Sequence, residues 1–222
     1  AGEPESGRRV GVRVEGIVQG VGFRPFIFQL ARAYRLRGTV RNDSSGVEIE
    51  VEGPGRQVDA FLRDIELKAP PLARIIRIQV VALDHRPLEG FRILDSLGSR
   101  ARSTLISPDV CVCGDCLREL RDPLDRRHGY PFINCTNCGP RFTIIRDIPY
   151  DRPRTTMAPF SMCAACQGEY RDPLDRRFHA QPNACRECGP EVWLEEATGS
   201  RLATGDAAIG QVVAALDRGL IV

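Results

Sequence analysis

The sequence contains no apolar run near the roughly 18 residues that a membrane-spanning helix needs. Its first residues are mostly polar, so a secretory signal peptide is not expected. Lysine is almost absent, with Lys68 the only one, and the formal net charge is only +2. Such a small charge gives no bulk attraction to nucleic acid. These absences favour a globular cytoplasmic protein that binds neither membrane nor nucleic acid.

Cysteine is absent before Cys111 and after Cys188, and all nine cysteines lie between these two positions. A disulfide framework would be unusual in a chain without an export signal. Paired C-x2-C spacings in a reducing compartment favour metal sites instead. The predicted divisions are a cysteine-free domain at 1–95, a linker at 96–107, a cysteine region at 108–190 and a tail at 191–222.

The cysteine-free part alternates the periodicities of strands and helices. Val10, Val12 and Val14 alternate with polar or glycine residues, which predicts a strand. An amphipathic helix follows, with Pro25 in its first turn and Gly38 just after its end. Further patterns complete the order β-α-β-β-α-β, with "FRIL" as a short additional edge. This order predicts an α+β, ferredoxin-like sandwich with an antiparallel sheet and both helices on one face.

A glycine-rich loop, "GIVQGVGFR" at residues 16–24, connects the first strand to the first helix. Gly20 and Gly22 allow the backbone to turn its N–H groups inward. Inward N–H groups at a helix N-terminus form an anion site. Arg24 adds a planar, permanently charged group that matches phosphate. The spacing alone supports a phosphate cradle and a plain turn with a surface arginine equally.

Two segments resemble the signatures of acylphosphatases, namely "GIVQGVGFR" and "GTVRNDSSG" at residues 38–46. The order of the elements also agrees with the acylphosphatase fold. The resemblance implies that Arg24 binds the substrate phosphate and that Asn42 orients the attacking water. Taken alone, Asn42 also fits a turn-forming role. The phosphate-binding residues that the resemblance implies are Gln19, Gly20, Val21, Gly22, Phe23 and Arg24.

The cysteines form an internal repeat, in which C-x2-C-x18-C-x2-C occurs twice with a displacement of 50 residues. "RDPLDRR" recurs at 121–127 and 171–177, so two copies of one structural unit are predicted. Four thiolates suit one tetrahedral zinc, and a closed ligand sphere predicts a structural metal. Disulfides, an iron–sulfur cluster and pairing across the repeats are the alternatives. The predicted ligands of the two zinc ions are Cys113, Cys116, Cys135, Cys138, Cys163, Cys166, Cys185 and Cys188.

Other polar residues of the cysteine region receive simpler interpretations. Cys111 lies outside the repeat and is expected to be a spare thiol. His128 and His179 occupy different offsets in the two copies, so each is expected to be solvated or hydrogen-bonded rather than a ligand. The arginine pairs at 126–127 and 176–177 follow aspartates, which favours solvated, salt-bridged turns over nucleic-acid contacts.

The tail predicts a helix that Asp206 could cap at its start and Gly219 at its end, followed by the strand onset "LIV". An acylphosphatase-like unit followed by a doubled four-cysteine region resembles the N-terminal part of the HypF family, the carbamoyltransferases of NiFe-hydrogenase maturation. In that family a YrdC-like domain comes next, and residues 191–222 resemble its truncated start.

The HypF resemblance implies a specific reaction. The acylphosphatase-like site would hydrolyse carbamoyl phosphate to carbamate. ATP-dependent steps in domains outside this chain would then pass the carbamoyl group to the C-terminal cysteine of HypE, where it becomes the precursor of the cyanide ligand. The alternative is a zinc-stabilised binding module that keeps a non-catalytic acylphosphatase scaffold, because a fold does not determine a function.

Overall fold

The structure is a computed structural model that describes residues 7–84, 86, 88–97, 105 and 109–220. Most of the predicted linker at 96–107, and residues 221–222 of the predicted tail strand, lie outside the described residues. The first part of the chain contains strands β1 (Gly7–Ile17), β2 (Arg37–Asn42), β3 (Val47–Pro54), β4 (Arg74–Ala82) and β5 (Phe91–Ile93), with helices α1 (Phe23–Ala33) and α2 (Gly55–Leu67).

These strands form one sheet in the order β4-β1-β3-β2-β5. The four longer strands pair antiparallel, and β5 pairs parallel to β2. The predicted β-α-β-β-α-β order is therefore confirmed, and the "FRIL" edge makes the sheet mixed rather than purely antiparallel. Helices α1 and α2 contact each other, so both lie on one face of the sheet, as predicted.

The core lies between the helices and the inward face of the sheet. Val10, Val12 and Val14 of β1 are buried while Arg13 is not, because successive strand residues point to opposite faces. The same alternation in β2 puts Asn42 on the inward face with Val40. Asn42 is the last residue of its strand, so its side chain lies at the edge of the core, next to the loop that precedes α1.

The C-terminus of α1 differs from the prediction. The helix ends at Ala33, and Gly38 lies within β2 instead of capping the helix. Arg35 takes the left-handed conformation, with φ of 54°. The backbone N–H of Leu36 donates to the carbonyl of Ala31 at 2.9 Å, which closes a Schellman motif. An arginine therefore occupies the position that usually favours glycine.

The cysteine region contains two short helices, α3 (Gly114–Arg121) and α4 (Ala164–Arg171), joined by loops and 3-10 turns. The tail begins with a hairpin that the sequence patterns did not indicate, β6 (Trp193–Glu195) and β7 (Arg201–Thr204), and continues with helix α5 (Gly205–Asp217). Among the described residues no helix is both long and apolar enough to span a membrane.

The ends of α5 agree only in part with the predicted caps. Thr204 is the residue before the helix, and Asp206 lies in the first turn, where it forms an ion pair with Arg186 at 2.8 Å. Gly219 follows the helix with φ of 77°, and its N–H donates to the carbonyl of Leu216 at 2.8 Å. The predicted C-terminal glycine is confirmed, whereas Asp206 makes no capping hydrogen bond through its side chain.

Candidate functional site

The glycine-rich loop has the backbone of an anion cradle. Gly20 and Gly22 have φ of 71° and 74°, the left-handed conformation in which a residue with a Cβ is strained. Gly22 leads directly into α1. Within the described part of the chain, the N–H groups of Gly20, Val21 and Gly22 have no hydrogen-bond acceptor. Free N–H groups at the N-terminus of an 11-residue helix suit a phosphate.

The structure brings together the two residues that the sequence assigns to catalysis. Arg24 is only 8% exposed, and Asn42 is fully buried beside it. In the amide orientation that satisfies both groups, Oδ1 of Asn42 accepts hydrogen bonds from Nε and Nη2 of Arg24, each at 3.2 Å. This contact holds the guanidinium at the cradle, while Nδ2 of Asn42 faces acceptors.

The side chain of Gln19 stabilises the glycine-rich loop through hydrogen bonds to two neighbouring loops. Its Nε2 donates to the carbonyls of Asp43 and Gly46 at 2.7 and 2.8 Å, which ties the loop to the β2–β3 turn. Its Oε1 accepts from the backbone N–H of Tyr150 at 3.0 Å. The side chain of Gln19 therefore has a structural role, and only its backbone could bind a phosphate.

The cysteine region covers the cradle directly. A Cβ built on Gly20 would lie 2.8 Å from Cβ of Pro140, and one on Gly22 would lie 3.2 Å from Cβ of Thr136. Pro140 and Thr136 belong to the second C-x2-C segment of the first repeat. A side chain at Gly20 or Gly22 would therefore crowd the cysteine region as well as strain the backbone of the loop.

A cavity of about 20 Å³ remains between the cradle and the cysteine region, which is room for roughly one water molecule. Arg24 and Asn42 line it from one side, and Asn134 and His179 line it from the two repeats. Asp151, between the repeats, places Oδ1 2.8 Å from Nη2 of Arg24. This ion pair engages Nη2 of Arg24, and Asp151 itself lies in an adjoining cavity that Arg24 and His179 also line.

His179 lies in the wall of this cavity in an unusual conformation. Its φ is 55°, a left-handed value that is rare for residues other than glycine. Its counterpart in the first repeat is Gly129, with φ of 62°. The pKa of His179 is lowered to about 4, chiefly by burial. The positive charge of Arg24 also lowers this pKa, and the carboxylate of Asp151 raises it by a smaller amount. The imidazole is therefore neutral at physiological pH.

The eight predicted ligands form two clusters, each made by the four cysteines of one repeat. Three Sγ–Sγ contacts in each cluster are 3.6 to 3.8 Å long, and all four Sγ atoms of a cluster lie within 4.8 Å of one another. Four thiolates at 2.3 Å around a tetrahedral zinc would be about 3.8 Å apart, so the geometry fits such an ion. All nine cysteines, the exposed Cys111 included, are free thiols, and pairing across the repeats is excluded by this arrangement.

The arginine pairs connect the two clusters reciprocally. Nη2 of Arg126, in the first repeat, lies 3.1 to 3.3 Å from the Sγ atoms of Cys163, Cys166 and Cys185 in the second. Nη1 of Arg176, in the second repeat, lies 3.0 Å from Sγ of Cys116 in the first. Each repeat therefore places a positive charge against the sulfur cluster of the other.

The second arginine of each pair is buried. Arg127 forms an ion pair with Glu169 of α4, and Arg177 forms the equivalent pair with Glu119 of α3. Burial raises the pKa of Glu169, but the hydrogen bond and charge of Arg127 outweigh this effect and hold the pKa at about 2.

The arginine pairs lie in salt-bridged turns, as predicted, and Arg126 is exposed. The prediction is wrong for Arg127 and Arg177, which are buried, and the partners are glutamates instead of the preceding aspartates. Asp125 is used by the turn itself, where Oδ1 accepts from the N–H of Arg127 at 2.7 Å.

Sequence reasoning did not single out Asp151 or Asn134, and it treated His179 as an ordinary histidine. Asp151 lies 127 residues from Arg24 along the chain, so no local pattern relates them. A position-by-position comparison of the two repeats could have found the others. His179 replaces Gly129, and Asn134 stands where the second repeat has Ala184.

The fold and the site define an acylphosphatase-like α+β unit whose glycine-rich loop is covered by a pair of four-cysteine modules. Family models match both the acylphosphatase-like unit and the cysteine region. The acylphosphatase family model matches residues 10–93, and the model described as the HypF finger matches residues 112–145 and 162–195.

This chain is also similar to longer proteins over both its acylphosphatase-like unit and its cysteine region. The carbamoyltransferase HypF of Rhizobium leguminosarum bv. viciae is 56% identical over 151 residues, which is 68% of this chain and 20% of that protein. HypF of Rhodobacter capsulatus is 55% identical over 212 residues, covering 95% of this chain and 28% of the relative. A crystal structure of full-length HypF in the phosphate- and nucleotide-bound form superposes with a TM-score of 0.88 and 48% identity, over 99% of this chain and 28% of that one.

The chain belongs to the HypF family of carbamoyltransferases, whose acylphosphatase-like unit and fingers it carries. It spans between a fifth and a little over a quarter of the length of the relatives named above.

Proposed function

We propose that this chain is the N-terminal part of a HypF-type carbamoyltransferase and that its cradle hydrolyses carbamoyl phosphate to carbamate and inorganic phosphate. The single observation that carries this proposal is the contact between Arg24 and Asn42 at the N-terminus of α1. A cation, a carboxamide and free backbone N–H groups meet there. Such groups are needed to hold a phosphoryl group and to orient a water for attack on it.

Each group has a distinct part in the proposed reaction. The N–H groups of the loop and the guanidinium of Arg24 bind the phosphoryl oxygens and offset their charge. Nδ2 of Asn42 orients the attacking water, since Oδ1 is held by Arg24. Attack at phosphorus breaks the P–O bond to the carbamoyl group, and carbamate leaves. No covalent intermediate is required.

The proposed substrate needs more space than the cavity offers, since the cavity holds only about one water. In the proposed cycle the loop that carries Asp151 moves, which also releases its carboxylate from Nη2 of Arg24. Asp151 lies in the loop between the repeats, where a change in loop position would open the cradle without disturbing the sheet. In the proposed cycle this loop opens for substrate and closes again after release of phosphate.

The test is phosphate release from carbamoyl phosphate by the purified chain and by Arg24→Ala. We expect the variant to lose at least 99% of the activity, since the guanidinium is the only side-chain cation at the cradle within the described residues. Arg32→Ala is the matched control, because Arg32 lies on the exposed side of the same helix. Full activity of Arg24→Ala would refute the site assignment.

We propose zinc as the ion of both cysteine clusters. All-thiolate donors with tetrahedral spacing suit zinc, and a closed sphere has no position for a substrate. The proposed ligands are the eight cysteines of the two clusters, and the ions would stabilise a region that has few apolar core residues of its own. Metal analysis that finds two zinc ions per chain would support this assignment.

The transfer steps are proposed for the whole protein and not for this chain. In steps that other domains carry out, ATP would activate carbamate as a carbamoyl adenylate, and the carbamoyl group would pass to the C-terminal cysteine of HypE as AMP leaves. This part of the proposal rests on the similarity to HypF carbamoyltransferases. Transfer of labelled carbamoyl to HypE by the full-length protein, lost with Arg24→Ala, would support it.

A zinc-stabilised binding module without catalysis is the second candidate. The ion pair of Arg24 with Asp151 favours it, because a carboxylate of the chain already neutralises the guanidinium. A chain that releases no phosphate from carbamoyl phosphate or acetyl phosphate would support this candidate over the first.

A further inference from the structure

The two repeats provide an internal comparison, because each residue of one has a counterpart 50 positions away in the other. Asn134 corresponds to Ala184, and their backbones have the same role. The carbonyl of Asn134 accepts from Nε of Arg177 at 3.0 Å, and that of Ala184 accepts from Nε of Arg127 at 2.9 Å. The second repeat makes this contact without a side-chain amide. The amide of Asn134 is therefore not needed to build a repeat.

Asn134 is one of the residues that line the cavity beside Arg24 and Asn42. The residue is 4% exposed. Its Nδ2 donates to the carbonyl of Gly139 at 3.4 Å, which sets the orientation of the amide. Its Oδ1 is buried and has no hydrogen-bond partner among the described residues. A buried acceptor without a donor is unfavourable, so this atom requires a donor that the described residues do not supply.

We propose that Oδ1 of Asn134 accepts a hydrogen bond from the amino group of carbamoyl phosphate and thereby selects this substrate over other acyl phosphates. The inference rests on the proposed function, since it places the phosphoryl group at Arg24. It adds that the first repeat supplies a specificity-determining residue for the reaction.

The chemistry of the two smallest acyl phosphates explains the selection. A carbamoyl group carries an amino group with two N–H donors, whereas an acetyl group has a methyl group at the same position. The methyl group would leave Oδ1 of Asn134 buried and unpaired in the complex. Sites that hydrogen-bond a substrate group discriminate against analogues that lack it, because their own polar atom is then left without a partner.

The first experiment compares kcat/KM for carbamoyl phosphate and acetyl phosphate in the wild type and in Asn134→Ala, which gives the first repeat the residue of the second. We expect the preference for carbamoyl phosphate to fall about tenfold, with acetyl phosphate turnover changed less than about twofold. Asn137→Ala is the matched control, since Asn137 is an exposed asparagine of the same C-x2-C segment. Metal content measured on each variant shows whether the repeat has folded.

A binding experiment separates this inference from the proposed hydrolysis. Calorimetry compares phosphonoacetamide, which carries the amino group, with acetonylphosphonate, which has a methyl group instead. A preference for the amide that Asn134→Ala removes and Asn137→Ala keeps would support the inference. That result would stand even if neither acyl phosphate were hydrolysed, an outcome that overturns only the proposed function. Equal binding of the two phosphonates, binding of neither, or a preference that survives in Asn134→Ala would overturn the inference.

Discussion

Arg24 and Asp151 form a nearly buried ion pair of 2.8 Å that joins the acylphosphatase-like unit to the loop between the cysteine repeats. The side chain of Arg24 is 9% exposed and that of Asp151 is 20% exposed, so water screens the pair weakly. Under the proposed function, this carboxylate would compete with phosphate for the same guanidinium.

Replacing Asp151 by Asn should strengthen phosphate binding. Asparagine keeps the size of the side chain and removes the charge that opposes a phosphate beside Arg24. We expect the inhibition constant of inorganic phosphate to fall roughly tenfold, as the loss of one partly buried charge contact suggests. Asp95→Asn serves as the control, because Asp95 is an exposed carboxylate that lines an adjoining cavity with Arg24. Weaker phosphate binding by Asp151→Asn would mean that the carboxylate positions Arg24 instead of competing for it.

The reciprocal arginines predict that each repeat stabilises the metal of the other. Four thiolates around a divalent ion carry a net charge of −2, and Arg126 donates to the cluster of the second repeat. Arg126→Met should weaken metal binding by the second repeat roughly 10- to 100-fold, the usual effect of losing an outer hydrogen bond to a ligand.

Arg176→Met should have the same effect on the first repeat. Metal release to a chromophoric chelator is the measurement, with single-cluster mutants identifying which site is affected. Arg118→Met is the control, since Arg118 is exposed and pairs with Asp115 of its own helix. Loss of metal from the repeat that carries the mutated arginine, instead of its partner, would contradict the reciprocal arrangement.

The left-handed backbone of His179 gives a prediction about stability. His179→Gly and His179→Ala remove the same imidazole, but only glycine adopts φ of 55° without strain. The glycine variant should therefore be more stable than the alanine variant by about 1 kcal/mol. Urea unfolding of the metal-bound chain measures the difference. Equal stabilities would show that the backbone relaxes away from this conformation once the imidazole is gone.

The lowered pKa of His179 predicts its behaviour with pH. The folded pKa of about 4 lies below the value of about 6.5 for an unfolded histidine, so between these two values the unfolded chain binds the proton more tightly. The contribution of His179 to stability is complete above pH 6.5 and is lost as the pH falls toward 4. NMR of the imidazole should show no protonation of His179 between pH 7.5 and 5.5. A midpoint near 6.5 would disprove the buried, neutral state.

Local patterns predicted most of the fold because each element carries its own period. The valines of β1 and the apolar stripe of α1 are repeated at strand and helix spacing, and the two C-x2-C sets define each cluster within one repeat. The hairpin of β6 and β7 was missed because two strands of three and four residues are too short for a clear alternation.

The sequence by itself predicted the sandwich and the grouping of eight cysteines into two clusters, whereas the roles of Arg24 and Asn42 came from the resemblance to acylphosphatases. These features depend on residues close in the chain or on an exact internal repeat. Only the tertiary structure decided what covers the cradle and what each arginine contacts. Asp151 and Arg126 meet partners 127 and 37 to 59 residues away, and those contacts depend on how whole units pack together.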